Sequence, residues 1–498
     1  MAWLLLALSC DAEIGDVRGP PGDTATPDDT DPTTDTSPDD TDVPPELVAV
    51  SHARELRGAW VATVWSIDWP SDQGLSPDEL EGELEAMVDA AAEAHVNALF
   101  FQVRAEADAF YDSDLEPWSR WLSGTQGVDP GIDPLERLIA LAHPRGIEVH
   151  AWMNPYRAGV SSGSSYASNH VSKRLGAAVV RYNGYLWMDP GDAAVQDETV
   201  AVIEDVVSRY DVDGVHFDDY FYPYPDDAGT DFPDDATWSA YQRGGGALDR
   251  EDWRRENVNS LIGRVADTIA AIDPNVRFGI APFGIYRPGV PSGISGFDAY
   301  ENLYCDPLAW LDAGDLDYIA PQLYWPSTQT AQAFGTLAEW WADQPSGGAH
   351  LFTGSYLAQL GSSSKWTLDE FATEVDLARE AGATGQIWYN FTPILEDWQG
   401  VRGEMADWYA APAATPPVAD VAERDVTPPQ LTDDGPNVRV AHAETLRAYG
   451  VYRQDGSRYV LDRLVPGDAT TIPLDGGTWA ITAIDRGSVE SLGVVVRR

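Results

Sequence analysis

The sequence predicts an α/β protein, a (β/α)8 TIM barrel followed by a small all-β sandwich, and three observations carry that prediction. Between about residues 55 and 412, eight apolar strand-like runs alternate with helical patterns, as a parallel barrel requires. Four of those runs place polar or aromatic residues on one face near their C-terminal ends, where a purely structural barrel would hold aliphatics. Past residue 430 the helical pattern stops, and short β runs with turn signals between them follow.

The eight runs are Arg57–Trp65, Val96–Val103, Gly146–Met153, Val212–Asp218, Val276–Pro282, Leu316–Tyr324, His350–Tyr356 and Thr384–Phe391. Helical stretches between them include Pro77–His95, Asp133–His143, Asp192–Tyr210 and Asp252–Ile272. Long inserts after the third and fourth runs, roughly 154–190 and 219–251, fall on the side where such barrels build clefts. The barrel is expected over 51–412, an Ala/Pro-rich linker over 413–429 and the sandwich over 430–498. Within the last, Tyr449-Gly-Val-Tyr-Arg453 and Trp479-Ala-Ile-Thr-Ala-Ile-Asp485 resemble fibronectin type III modules, which implies a spacer or a glycan-binding module.

Upstream, Met1 to Ser9 is a short apolar run ending Leu8-Ser9-Cys10, similar to a lipoprotein signal (residues 1–9) with Cys10 lipidated after cleavage. Residues 10–50 then read as a tether. Their Asp, Thr and Pro bury too little apolar area to offset ordering, and like charges extend the chain. Together these predict an exported cell-envelope protein anchored to a membrane by lipid. Cys305 is then left unpaired. The net charge of −50 argues against nucleic acid, whose phosphates it would repel.

Alternation along the fourth run sets Val215 and Phe217 on one face and Gly214, His216 and Asp218 on the other. On the second, Gln102, Arg104 and Glu106 oppose Leu99, Phe101 and Val103. On the third, His150, Trp152 and Asn154 oppose Ile147, Val149 and Ala151; on the sixth, Gln322 and Tyr324 alternate with Ile319, Pro321 and Leu323. The inward set is therefore rich in carboxylates, amides and aromatics.

Two carboxyls facing each other across a barrel mouth can divide acid and base labour in cleaving a glycosidic bond. Asp218 is expected as nucleophile or base and Glu106 as acid/base. Asp219 sits beside them, with loop capping or orientation as its expected role. The alternatives are a Glu106–Arg104 ion pair that stiffens the rim, and an Asp218 that only binds a sugar hydroxyl. Sugar rings stack their C–H faces on aromatic side chains, and the rim carries Trp118, Trp152, Tyr156, Tyr220, Tyr222, Tyr286, Tyr324, Trp325 and Trp388. Arg157 is suited either to a substrate carboxylate or to an internal ion pair. Gln102, Arg104, His150, Asn154, His216 and Gln322 complete the expected binding set. His150 and His216 lack the spacing of a zinc motif, and neither a metal nor an organic cofactor is expected.

Several motifs carry a family resemblance: Arg57-Gly-Ala-Trp-Val-Ala-Thr-Val64, Asp68-Trp-Pro70, Phe101-Gln-Val-Arg104, His150-Ala-Trp-Met-Asn-Pro-Tyr-Arg157, Asp189-Pro-Gly191 and His216-Phe-Asp-Asp-Tyr-Phe-Tyr-Pro223. Trp253-Arg-Arg255, Phe278-Gly-Ile-Ala-Pro-Phe-Gly284 and Asp317-Tyr-Ile-Ala-Pro-Gln-Leu-Tyr-Trp325 extend them in order, so that they span 54–410. The chain resembles the glycosyl hydrolase-like 10 family, with Ala105 standing where that family often has Pro. The resemblance implies a bacterial envelope glycosidase acting on peptidoglycan glycan strands, notably strands stripped of stem peptides. The alternatives are a hydrolase of another environmental or capsular polysaccharide and a non-catalytic glycan-binding lipoprotein.

Overall fold

Eight parallel strands close on themselves in the computed structural model, which describes residues 44–344 and 346–498. They are β1 (Leu56–Val61), β2 (Ala98–Arg104), β3 (Glu148–Met153), β4 (Gly214–Phe217), β5 (Arg277–Ile280), β6 (Tyr318–Ile319), β7 (His350–Ser355) and β8 (Gly385–Trp388). Closure comes from β8 pairing with β1, Gly385 opposite Leu56. All eight lie within the expected runs or overlap them to within a residue. The expected sixth run is cut short because Pro321 has no N–H for the ladder, and pairing resumes only as isolated bridges at Gln322.

Two separate cores follow from the alternation. Val61, Leu99, Phe101, Val149, Val215, Phe217 and Phe278 face outward onto the helices. Leu56, Trp60, Phe100, Trp152, Tyr318, Phe352 and Ile387 fill the barrel interior. Glycines make room for the large inner rings: a Cβ on Gly214 would come within 2.4 Å of His150 Nδ1, and one on Gly279 within 2.2 Å of the Tyr318 ring. The helix Pro77–Glu93 opens on a capping box, with Ser76 accepting from Glu79 N and the Glu79 side chain returning to Ser76 N. No helix among the described residues is long and apolar enough to cross a membrane.

The C-terminal strands form two antiparallel sheets. Thr478–Asp485 lies between Leu446–Asp455 and Gly493–Arg497 in the larger, and Gln430–Asp434, Asn437–Ala441 and Thr471–Pro473 form the smaller. Val438, Val440, Tyr449, Val451, Ile472 and Ile481 from both sheets share one core. Leu47–Val48, expected as tether, instead adds an edge strand antiparallel to Gly493–Arg497, because its backbone finds a ladder there. The expected linker is also not free. Ala414, Thr415 and Val418 are buried, and His350 Nε2 lies 2.8 Å from Pro417 O at the end of the barrel away from the strand C-termini. The expected signal run, Cys10 and most of the expected tether lie outside the described residues.

Candidate active site

At the C-terminal ends of the strands a cavity of about 230 Å3 opens, walled by residues of β1, β2 and β3 and of the loops that follow the strands. Trp60, Trp152, Tyr220, Tyr324 and Tyr389 give it an aromatic lining, and Asp218 and Asp219 are its two carboxylates. Strand β4 ends at Phe217, so both aspartates leave the ladder and both reach the cavity. Alternation alone would have turned Asp219 outward.

Asp218 is held by three donors. Trp152 Nε1 reaches its Oδ2 at 3.1 Å, Asn154 Nδ2 reaches the same oxygen at 2.5 Å, and Tyr220 N reaches Oδ1 at 3.1 Å. Burial pushes its carboxyl up from the usual range, while the nearby Arg157 charge and those donors pull it back. Asp219 has weaker support: Tyr224 donates its phenol to Oδ2, and Gln322 also contributes. Burial and the adjacent Asp218 charge push its carboxyl up to about 7. Burial thus raises both carboxyls, and Asp219 carries the further push of its neighbour's charge.

Asn154 is the hinge of this network. Its Oδ1 accepts from Gln102 Nε2 at 2.7 Å and from Arg157 Nη2 at 2.8 Å, which fixes its amide to donate towards Asp218. Arg157 also donates to Ala105 O at 2.9 Å and lies over the Tyr220 ring at 5.1 Å, yet still lines the cavity. Gln102 accepts from Thr63 N and Val64 N, each at 3.0 Å, and so shapes the loop after β1.

Glu106 is not part of this cleft. Its carboxylate is fully buried, accepting from Val160 N at 2.7 Å and Trp121 Nε1 at 2.8 Å, with Arg120 3.5 Å away. The cause lies in β2. Gln102 stands opposite Trp152, but Arg104 stands opposite Met153, so Val103 is an extra residue. Such a bulge inverts the alternation beyond it and turns Arg104 and Glu106 out of the barrel. Arg104 then pairs with Glu116 rather than Glu106, through Nε at 2.8 Å and Nη2 at 2.6 Å. A Glu106–Arg104 ion pair and an acid role for Glu106 are both replaced by this arrangement.

Other expected contacts also belong to packing. Tyr156 and Tyr222 are buried, Trp118 packs against the outer core, and Trp325 meets Phe283 edge-on at 5.6 Å. Trp388 donates to Tyr409 Oη at 3.2 Å, and Tyr286 stacks on Trp340. His150 and His216 lie beneath the cleft in a chain along the barrel axis. Trp60 Nε1 donates to His216 Nε2 at 2.9 Å, and His216 Nδ1 is 3.0 Å from Tyr318 Oη. That oxygen is 3.2 Å from His150 Nδ1, and His150 Nε2 is 3.0 Å from Glu148 Oε2. Indole N–H only donates and an ionised carboxylate only accepts, so the protons are ordered from Trp60 to Glu148. Burial, with some help from His150, holds His216 well below the usual range and hence neutral. Although burial opposes it, the charges of Arg447 and Arg277 keep Glu148 ionised.

Trp60, Trp65, Tyr224, Tyr356 and Tyr389 line the cavity without having been expected there. Trp60 follows from the same alternation applied to β1. The others lie on loops, whose side-chain directions no periodicity sets.

Residues 55–369 match the glycosyl hydrolase-like 10 family. The chain belongs to that family. It is 36% identical over 402 residues to glycosyl hydrolase YngK of Bacillus subtilis (strain 168), covering 78% of each chain. It is 36% identical over 344 residues to glycosyl hydrolase DigH of Escherichia coli (strain K12), covering 64% of this chain and 77% of the relative. Among solved structures, the PgaB (BpsB) glycoside hydrolase domain from Bordetella bronchiseptica aligns with a TM-score of 0.51 at 12% identity. That alignment covers 71% of this chain and 98% of the other and bears on the fold alone. This glycosyl hydrolase-like 10 member is a glycoside hydrolase.

Proposed function

We propose that the enzyme hydrolyses the glycan strands of peptidoglycan, with Asp219 as proton donor and the substrate's own 2-acetamido group as nucleophile. One observation supports this reading above others: the cleft carries two sequence-adjacent aspartates and, among the described residues, no carboxylate across from them. Glycosidases that use two opposed carboxyls separate them by about 5–5.5 Å or 6.5–9.5 Å across the bond, and substrate-assisted families dispense with the second one. Asp219, with its carboxyl pushed up to about 7, keeps a proton to give to the glycosidic oxygen as the C1–O bond breaks. The acetamido carbonyl oxygen attacks C1, and Asp218 accepts a hydrogen bond from the acetamido N–H, whose positive charge it stabilises. Its three donors leave about one of four lone-pair positions for that contact. Water then opens the cyclic intermediate, giving its proton to Asp219 and restoring the acid.

Arg157, the cation on the cavity wall among the described residues, suits the lactyl carboxylate that muramic acid exposes once its stem peptide is gone. We extend the proposal to an envelope lipoprotein held by Cys10, on the strength of Leu8-Ser9-Cys10 and the Asp/Thr/Pro-rich stretch after it. Mass analysis of the membrane-extracted N-terminal peptide checks the lipid.

The catalytic reading is tested with peptide-free strands before and after chemical removal of the N-acetyl groups. Cleavage of the acetylated strands with retained anomeric configuration, and at least about 100-fold slower cleavage of deacetylated ones, is expected. Equal rates on both would remove the acetamido group from the mechanism. Intact peptide-free strands would remove the substrate.

A further inference from the structure

Trp65 stands out from the other aromatics of the cleft. It is 50% exposed, it lines the same cavity as Asp218 and Asp219, and among the described residues its ring stacks on no other aromatic and its indole N–H has no acceptor. Its backbone is left-handed (φ 57°, ψ 19°), and Ser66 follows at φ 50°. A bulky residue in that region is a steric outlier that persists only when its surroundings impose it. They do so here from both sides. Before Trp65, Gln102 Oε1 accepts from Thr63 N and Val64 N. After it, Asp68 accepts from Ala62 N at 2.8 Å and from Thr392 Oγ1 at 2.6 Å, pinning the loop to the far end of the barrel sequence. Val64 and Trp69 on either side are buried, so the clamp leaves Trp65 projecting, with the smaller Ile67, 36% exposed, as its apolar neighbour at the rim.

We propose that Trp65 is a stacking platform for a sugar of the glycan strand lying beyond the unit bound over Asp218 and Asp219. The cavity of about 230 Å3 is smaller than the roughly 300–1,000 Å3 of pockets that engulf a ligand. A polymer therefore seats one part in it and continues across the rim, where an exposed aromatic face suits the apolar C–H face of a pyranose. Trp65 is continuous with the cavity wall, and that continuity selects the substrate chain itself as its occupant rather than a second protein. A large ring kept in solvent on a strained backbone gains nothing for folding, so its return is in binding.

The platform deepens the glycan-strand reading and rests on it. Its test uses alternating N-acetylglucosamine–N-acetylmuramic acid oligosaccharides of graded length with wild type, Trp65→Gly and Trp65→Phe. Glycine adopts positive φ without penalty, so Trp65→Gly is expected to melt no lower than wild type. Its loss in kcat/KM should grow with chain length and reach about tenfold or more on the longest strands, through KM. Trp65→Phe, which keeps a ring, should recover a large part of that loss. A Trp65→Gly variant as active as wild type at every length overturns the inference, as does a loss equal on the shortest and longest strands. A Trp65→Phe variant that melts well below wild type overturns it too, by making the indole a packing element. Failure of the wild type to cleave any of the series counts against the substrate reading first and the platform with it.

Discussion

Trp60 donates its indole N–H to Nε2 of His216 at 2.9 Å, which ties the floor of the cleft to a hydrogen-bonded chain running down the barrel axis. The chain passes through Tyr318 and His150 and ends on Glu148. There Thr415 donates at 2.6 Å and Arg447, from the C-terminal sheets, approaches at 3.4 Å. The cleft and the C-terminal sheets thus share one ordered set of protons.

Tyr318→Phe removes the middle of that chain with almost no change of shape. His216 Nδ1–H and His150 Nδ1 would each lose a buried partner, at about 1–3 kcal/mol per group. Denaturant unfolding should show the loss, and kcat/KM should fall because Trp60 is no longer held. A variant as stable as wild type would contradict the ordered chain.

Arg447 bridges the two modules, donating to Asp213 Oδ1 at 2.8 Å beside Glu148. Arg447→Met strands two buried carboxylates and should cost about 3–5 kcal/mol. Burial pushes both carboxyls up, yet the Arg447 charge and other partners hold them far below the usual carboxylate range. Their contribution is therefore present throughout the neutral range and disappears only in strong acid. Thermal melts of the full chain at neutral pH check the magnitude.

Glu106→Ala separates structural from catalytic carboxylates. Val160 N and the Trp121 indole would lose their acceptor, so a stability loss of about 1–3 kcal/mol is expected, with kcat reduced less than about tenfold. A loss of kcat like that of the Asp219 variant, in a protein of wild-type stability, would restore Glu106 to the chemistry.

Asp219 makes stability depend on pH in a definite direction. Its carboxyl is raised from near 4 when unfolded to about 7 when folded, so the folded state binds more protons between those values. Its contribution is fully present below pH 4 and lost as pH rises through 7. Asp219→Asn should therefore melt higher than wild type at pH 8, by about 1 °C per kcal/mol recovered, and show little gain at pH 4. In activity, the wild-type kcat/KM should decline above about pH 7 as the donor loses its proton.

Much of this was legible in the sequence because a barrel strand has a period of two, and burial on both faces makes its runs apolar. The inward positions Trp152, Asp218 and Gln322 follow from that period alone. Glu106 and Arg104 did not, since one extra residue at Val103 inverts the period and nothing in Phe101-Gln-Val-Arg104 announces it. Trp65 escaped for a different reason. It ends an apolar run and reads as strand, whereas the side chains of Gln102 and Asp68, distant along the chain or past the turn, hold it in a left-handed loop. Leu47–Val48 was missed because its partner strand lies at the opposite end of the sequence.

The proposed role of the Asp218–Asp219 pair is the cutting of a glycosidic bond. It is tested most directly by incubating the folded wild type and Asp219→Asn with peptide-free glycan strands and weighing the products. Shorter saccharides from the wild type, with turnover lowered about 10²–10⁴-fold in a variant of undiminished melting temperature, are expected. Asp219→Asn cutting the strands at the wild-type rate would contradict it.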